Sequence, residues 1–183
     1  MSTRSKYFIA IIPPSPIYEE AYHWKLFFQE KYNTKAALRS PPHITLHMPF
    51  EWPSSKVARL LDSIGGFAKS CSPFELQLRG FGSFPPRVIF IRVGENKHLN
   101  DLQSDLIRFC RINLNLFNAN RLDLPYHPHL TVAFRDLKKS LFEEAWDSVQ
   151  DESFNHDFAC TQITLLKHNG KSWDIDHQFG FQS

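Results

Sequence analysis

Along the chain the spacing of apolar residues switches between a period of two and a period of about 3.6, and each switch marks an element. Tyr7-Phe8-Ile9-Ala10-Ile11-Ile12 is apolar throughout, aromatic and β-branched, and stops at Pro13-Pro14, which predicts a central strand. Ser15-Pro16 then predicts a helix start, with a serine cap and proline at the first helical position. Glu19 and Glu20 suit the positive end of that helix, and Ala21, Trp24, Phe27 and Phe28 give it a buried stripe out to about Tyr32. Arg39-Ser40-Pro41-Pro42 reads as a stiff, extended lead into a second strand.

Farther along, Ser54 or Ser55 caps a second predicted helix with Val57, Leu60, Leu61, Ile64 and Phe67 at helical spacing, weakened near its end by Gly65-Gly66. Phe74, Leu76 and Leu78 alternate with Glu75, Gln77 and Arg79, the mark of a half-buried strand reaching Phe81. Gly80 to Arg87 forms a loop, and Val88 to Val93 returns as the paired strand. Leu99, Leu102, Leu106, Phe109 and Cys110 mark a third helix, followed by a polar tract around Asn113 to Asn120. After a proline-containing lead from Leu124 to Pro128 comes another strand, then a helix over Lys138 to Gln150. Three short strands close the chain, near Phe154 to Cys160, Gln162 to Lys167 and Trp173 to Phe181. The order predicts one α+β domain over residues 1–183, made of two lobes with related plans and with no linker between them.

One pentapeptide occurs twice within this pattern. Pro42-His43-Ile44-Thr45-Leu46 returns 86 positions later as Pro128-His129-Leu130-Thr131-Val132. Chance gives roughly 0.01 matches to His-aliphatic-Thr-aliphatic in such a chain, so the repeat has a cause. In an extended strand, His43 and Thr45 share one face while Ile44 and Leu46 share the other; His129 and Thr131 do the same against Leu130 and Val132. Each copy anchors itself in a core and presents an imidazole beside a hydroxyl, and the two lobes place these strands at a shared cleft.

Composition narrows the chemistry. A net charge of +2 gives no general affinity for nucleic acid or for an anionic membrane, so an anionic ligand must be met locally. Cys71, Cys110 and Cys160 are far apart and odd in number, with no Cys-x-x-Cys, which points to reduced thiols rather than a disulfide framework or zinc knuckle. The apolar run after Lys6 is too short for a signal peptide or membrane span. These features predict a cytoplasmic monomer with no membrane association.

Two imidazoles on opposite sides of a phosphodiester suit in-line displacement, one accepting a proton while the other donates one. Thr45 and Thr131 can donate to the non-bridging oxygens and hold the phosphorus between the rings. Such a site needs no metal and no cofactor.

The chain resembles the two-histidine phosphoesterases, the superfamily of 2'-5' RNA ligases and cyclic phosphodiesterases. The likeness rests on Pro42 to Leu46, on His127-Pro128-His129-Leu130-Thr131-Val132, on the opening strand, and on the Gly80 to Phe90 loop and hairpin. It implies a bilobed α+β fold in which two antiparallel sheets form a central cleft, with helices packed outside. It also implies hydrolysis, or reversible joining, of RNA or nucleotides bearing 2',3'-cyclic phosphates or 2'-5' linkages. By the same resemblance His129 deprotonates the attacking water and His43 protonates the leaving oxygen. The chain departs from the family after each motif: His47-Met48-Pro49-Phe50 follows the first, and Arg135 stands six positions past His129.

Other residues carry weaker signals. Arg135 reads as a phosphate-binding group or an ordinary charge ahead of a helix. Phe84 and Arg87 lie on a proline-rich loop able to cover the cleft, one for stacking and one for charge. In regular strands His47 and His127 would share the face of their neighbouring histidines, as substrate-side residues that tune the pair or sit at the cleft rim. A four-histidine metal site is conceivable on that count, but no carboxylate accompanies it. Arg108 and Arg111 belong to a solvated helix face. Two rival readings are a non-catalytic module that binds RNA ends or nucleotides, and a metal-dependent hydrolase.

Overall fold

The computed structural model describes residues 3–117 and 125–182. Within them lie strands Arg4–Ile11 (β1), Ile44–Pro53 (β2), Phe74–Phe84 (β3), Val88–Val93 (β4), His129–Ala133 (β5), Asn155–Cys160 (β6), Gln162–His168 (β7) and Trp173–Gly180 (β8). Helices Ile17–Tyr32 (α1), Val57–Lys69 (α2), Lys97–Leu114 (α3) and Phe142–Asp147 (α4) connect them.

The strands form one sheet in the order β6-β3-β4-β5-β2-β1-β7-β8, with neighbours antiparallel throughout. The expected pair of separate sheets is therefore corrected to a single sheet of two four-stranded halves. The halves meet where β2 touches β5, through the single register pair Ile44 and Leu130. Each motif strand is already paired on its other side, β2 with β1 and β5 with β4. The remaining backbone edges would stand open, and pairing them with each other removes both.

Alternation in β1 sorts the two faces. Tyr7, Ile9 and Ile11 enter the large core, where all four helices contribute buried residues such as Phe28, Leu60, Leu106 and Phe142. Phe8 and Ala10 point the other way and join Leu166, Ile12 and Trp173 in a second, small cluster. The opposite face is thus left to the histidines and threonines.

Several boundaries differ from expectation. Ser15 provides no side-chain cap, and α1 begins at Ile17; a 3-10 turn over Ser54–Lys56, also uncapped, precedes α2. α2 runs through Gly65-Gly66 to Lys69, and a Cβ on Gly65 would make ordinary contact with the Phe179 ring at 3.4 Å. The predicted helix over Lys138 to Gln150 shrinks to a 3-10 turn, Lys139–Leu141, and the short α4. Asn115, at φ 53 to 57 like the other left-handed helix cap Asn33, terminates α3. Residues 118–120 of the polar tract and Leu124 fall outside the described residues. All three cysteines are free thiols. No described helix is long and apolar enough to cross a membrane.

Candidate active site

Antiparallel register builds the centre of the site. Ile44 and Leu130 are directly opposed and buried in the core. One step to either side along that register, His43 falls beside Thr131 and Thr45 beside His129, all four on the face away from the helices. The two histidines become diagonal neighbours, a pair that in a ladder stands roughly 7–8 Å apart, somewhat less between Cβ atoms. Tyr126 locks the two motifs together: its phenol donates to the Thr45 carbonyl at 2.9 Å.

The two imidazoles are held the same way. His43 Nδ1 lies 2.7 Å from the Pro41 carbonyl, and His129 Nδ1 lies 2.8 Å from the His127 carbonyl. A carbonyl only accepts, so in both neutral rings Nδ1 carries the hydrogen and Nε2 keeps its lone pair for chemistry. Burial pushes the His43 ring down to about 3, helped by Lys25 and weakly by His129, while its bond to Pro41 opposes the shift. The His129 ring is also lowered, mainly by burial. Both rings are therefore held toward the unprotonated form, and a negative charge placed between them would favour protonating one.

Each ring leans on an aromatic from the neighbouring strand. Phe8 of β1 meets His43 with centroids 5.0 Å apart, and Phe90 of β4 meets His129 at 5.1 Å. Behind them stand Trp173, edge-on to Phe8 at 4.8 Å, and Phe84, which contacts Phe90 at 4.5 Å and His129 at 5.2 Å. Gly82 permits the second wall, because a Cβ there would come within 2.6 Å of the Phe90 ring. Beside it opens a groove of about 290 Å³ lined by Gly82, Ser83, Phe84, Phe90, Arg92 and His127. Arg92 pairs in register with His129, is exposed, and has no ion pair or hydrogen bond among the described residues. On the His43 side a comparable space of about 310 Å³ lies among Tyr18, Tyr22, Arg39, Pro41 and Trp173.

Behind His43 sits Lys25, only 1% exposed, donating to the Ala37 and Ser40 carbonyls at 2.9 Å each. Burial lowers its ammonium from 10.5 to about 7. The unfolded chain therefore binds this proton more tightly than the folded one between those values, so stability rises with pH from about 7 to about 10.5. On the order of a few kcal/mol is gained across that window and is absent below it. Urea unfolding at pH 6 and pH 10 should show a rise in wild type that shrinks in Lys25→Met; equal slopes in both would refute the burial cost.

The other sequence candidates scatter. His47 is corrected from the cleft rim to the core: it is fully buried, edge-on to Phe50 at 5.3 Å. A bulge shifts the β1–β2 register between Thr45 and His47, pairing His47 with the core residue Ile9 and breaking the alternation. Its Nδ1 bonds to the Met48 carbonyl at 2.8 Å, and its Nε2 has no hydrogen-bond partner among the described residues. His127 stays at the rim, 5.1 Å from Phe84. Arg87 spends one donor on the Arg135 carbonyl, which braces the hairpin loop to the turn beyond β5. Arg135 lies on that turn with its guanidinium over Phe134 at 4.9 Å. Among the described residues no group of three or more His, Cys, Asp or Glu side chains is arranged to hold a metal. Sequence reasoning missed Phe8, Phe90, Arg92 and Lys25. The first three were readable from strand alternation, and Lys25 as the one cation inside the apolar stripe of α1.

The profile of the 2'-5' RNA ligase superfamily matches residues 13–172. A protein of Oceanobacillus iheyensis provisionally named a phosphoesterase is 27% identical, covering 95% of this chain and 96% of its own. One from Bacillus pumilus with the same provisional name is 30% identical over 95% and 96%. Among solved structures, E. coli LigT complexed with 3'-AMP superposes with a TM-score of 0.71 at 22% identity, covering 99% of this chain and 100% of that one. At that identity the superposition speaks for the fold.

Proposed function

The chain belongs to the 2'-5' RNA ligase superfamily, and on that premise we propose that it is a phosphodiesterase acting on RNA or nucleotides with 2',3'-cyclic phosphates or 2'-5' linkages. The observation that carries this reading is the pair of imidazoles, each with Nδ1 committed to a carbonyl and Nε2 left free. With one substrate-bound phosphate between them, one Nε2 draws a proton from the attacking water while the other, protonated, delivers one to the leaving 2' or 3' oxygen. The Thr45 and Thr131 hydroxyls donate to the non-bridging oxygens, where charge grows in the transition state. With a 5'-hydroxyl in place of water as the nucleophile, the same groups run the joining reaction, one accepting the hydroxyl proton and the other protonating the expelled oxygen. Proton transfer from the nucleophile to one imidazole and from the other to the leaving oxygen accounts for the step, so the reaction as proposed is metal-independent.

A nucleotide ligand is supported by the relatives: E. coli LigT has been crystallised with 3'-AMP, ATP and phosphate. On this chain, Phe84 offers a stacking face for the base and Arg92 an exposed cation for a flanking phosphate. Base stacking on an aromatic contributes about 1–3 kcal/mol, so Phe84→Ala should raise KM about tenfold with kcat little changed. An unchanged KM removes Phe84 from the substrate site.

The deciding experiment is turnover of a panel of 2',3'-cyclic nucleotides and 2'-5' dinucleotides, with and without chelator. Turnover that chelator leaves intact is the expected result. Tight binding without turnover favours a binding module, and loss of turnover in chelator favours a metal-dependent hydrolase.

A further inference from the structure

Two grooves flank the histidine pair, and the scheme above uses only the one beside His129. The other lies beyond His43, a space of about 310 Å³ whose walls include Tyr18, Tyr22, Arg39, Pro41, Trp173 and Asp174. Two links make it continuous with the site. Pro41, in its wall, supplies the carbonyl that fixes His43 Nδ1 at 2.7 Å. Trp173 meets Phe8 edge-on at 4.8 Å, and Phe8 in turn meets the His43 ring at 5.0 Å.

This lining has the chemistry that takes a nucleoside. Tyr18 and Tyr22 are four residues apart on α1, so their side chains share a face of the helix. Their rings are parallel within 6°, with centroids 6.5 Å apart, and both are only half-buried. Trp173 adds a third aromatic from β8. Arg39 is exposed and makes no hydrogen bond or ion pair among the described residues. Asp174 accepts from the Asn169 side chain at 2.8 Å, and its carboxylate can also accept from a base amino group or a ribose hydroxyl. The groove beside His129 has the same make-up, aromatic in Phe84 and Phe90 and cationic in Arg92. One nucleoside with its cyclic phosphate fills one groove. A phosphodiester between two nucleosides puts one on each side of the phosphorus and fills both.

We propose that the groove of Tyr18, Tyr22, Arg39 and Trp173 is a second nucleoside subsite, so that the preferred substrate is a 2'-5' linkage between two nucleotides rather than a mononucleotide cyclic phosphate. The proposal rests on the phosphodiesterase reading above and names its substrate class. The second base stacks on the tyrosine pair and Trp173, and Arg39 meets a further phosphate of the strand. The chemical step is unchanged: water forms a bond to phosphorus, the bond to the leaving ribose oxygen breaks, and that oxygen takes the donated proton. In the joining direction the two grooves hold the cyclic end and the 5'-hydroxyl end together.

The test compares KM for a 2'-5' diadenylate and for 2',3'-cyclic AMP in wild type and in the double variant Tyr18→Leu, Tyr22→Leu. Leucine keeps apolar contact and removes the flat ring. In wild type KM for the dinucleotide should lie about tenfold below that for the cyclic mononucleotide, the worth of one more stacked base. In the double variant that ratio should fall toward one. Equal KM values in wild type, or a ratio the double variant leaves unchanged, overturn the proposal. Circular dichroism checks the fold. If the double variant does not fold, Arg39→Gln at an exposed position decides instead: KM for a 2'-5' dinucleotide phosphorylated at both ends should rise several-fold, and no rise overturns the proposal. If wild type turns over neither compound, the phosphodiesterase reading fails. Calorimetric titration with the same two compounds then reads the subsite by itself, with the same ratio expected in Kd and the same loss in the double variant; equal affinities overturn it.

Discussion

Replacing either ring, by His43→Ala or His129→Ala, lowers turnover of a 2',3'-cyclic phosphate about 10²–10⁴-fold, the usual contribution of one positioned acid or base. Both side chains lie on the cleft face and each gives up only one bond to a carbonyl, so the thermal midpoint moves little. The double variant is hardly worse than either single one, because acceptor and donor act in one concerted transfer and are not additive. Thr45→Ala and Thr131→Ala lose less, about tenfold each, because a hydroxyl steadies charge without moving a proton. Circular dichroism and steady-state rates on the purified variants check all of this. A folded His129→Ala protein as fast as wild type would end acid–base catalysis by this pair and leave the binding-module reading in its place.

Leu130→Ala costs about 2–5 kcal/mol and lowers the thermal midpoint by about 5–20 °C. Leu130 is fully buried and opposes Ile44 in the one register pair that joins the two halves of the sheet. A cavity there loosens the contact that sets His43 against Thr131 and Thr45 against His129. Activity per folded molecule should therefore fall as well, because a displacement of about 1 Å at reacting groups costs on the order of 10²-fold. Leu60→Ala is the control: it is equally buried, but on α2 and not part of the seam's register pair. It should match the stability loss and leave kcat of the folded protein unchanged. If the two variants lose kcat equally, the seam has no special hold on the site.

Local pattern carried much of this protein. The His-Thr repeat was legible because strand alternation depends only on neighbouring residues: Ile44 and Leu130 want the core, and that alone turns His43 and His129 outward together. The strand and helix order was legible for the same reason, from Tyr7 to Ile12 through the last hairpin. Its errors fell where a residue's partner is distant in sequence.

What the tertiary structure alone decided were matters of register and shared burial. Alternation shows that each motif strand has a free edge, but not that the two edges meet and merge the expected sheets into one. That choice depends on hydrogen bonds between residues 86 positions apart. His47 obeys the alternation on paper and breaks it in the fold, because the bulge opposite Ile9 exists only once β1 and β2 are aligned. Lys25 is an ordinary helix lysine until the Ala37 to Pro41 segment closes over it. From then on a solvated charge becomes a buried amine, held well below its ordinary range by desolvation that no local pattern records.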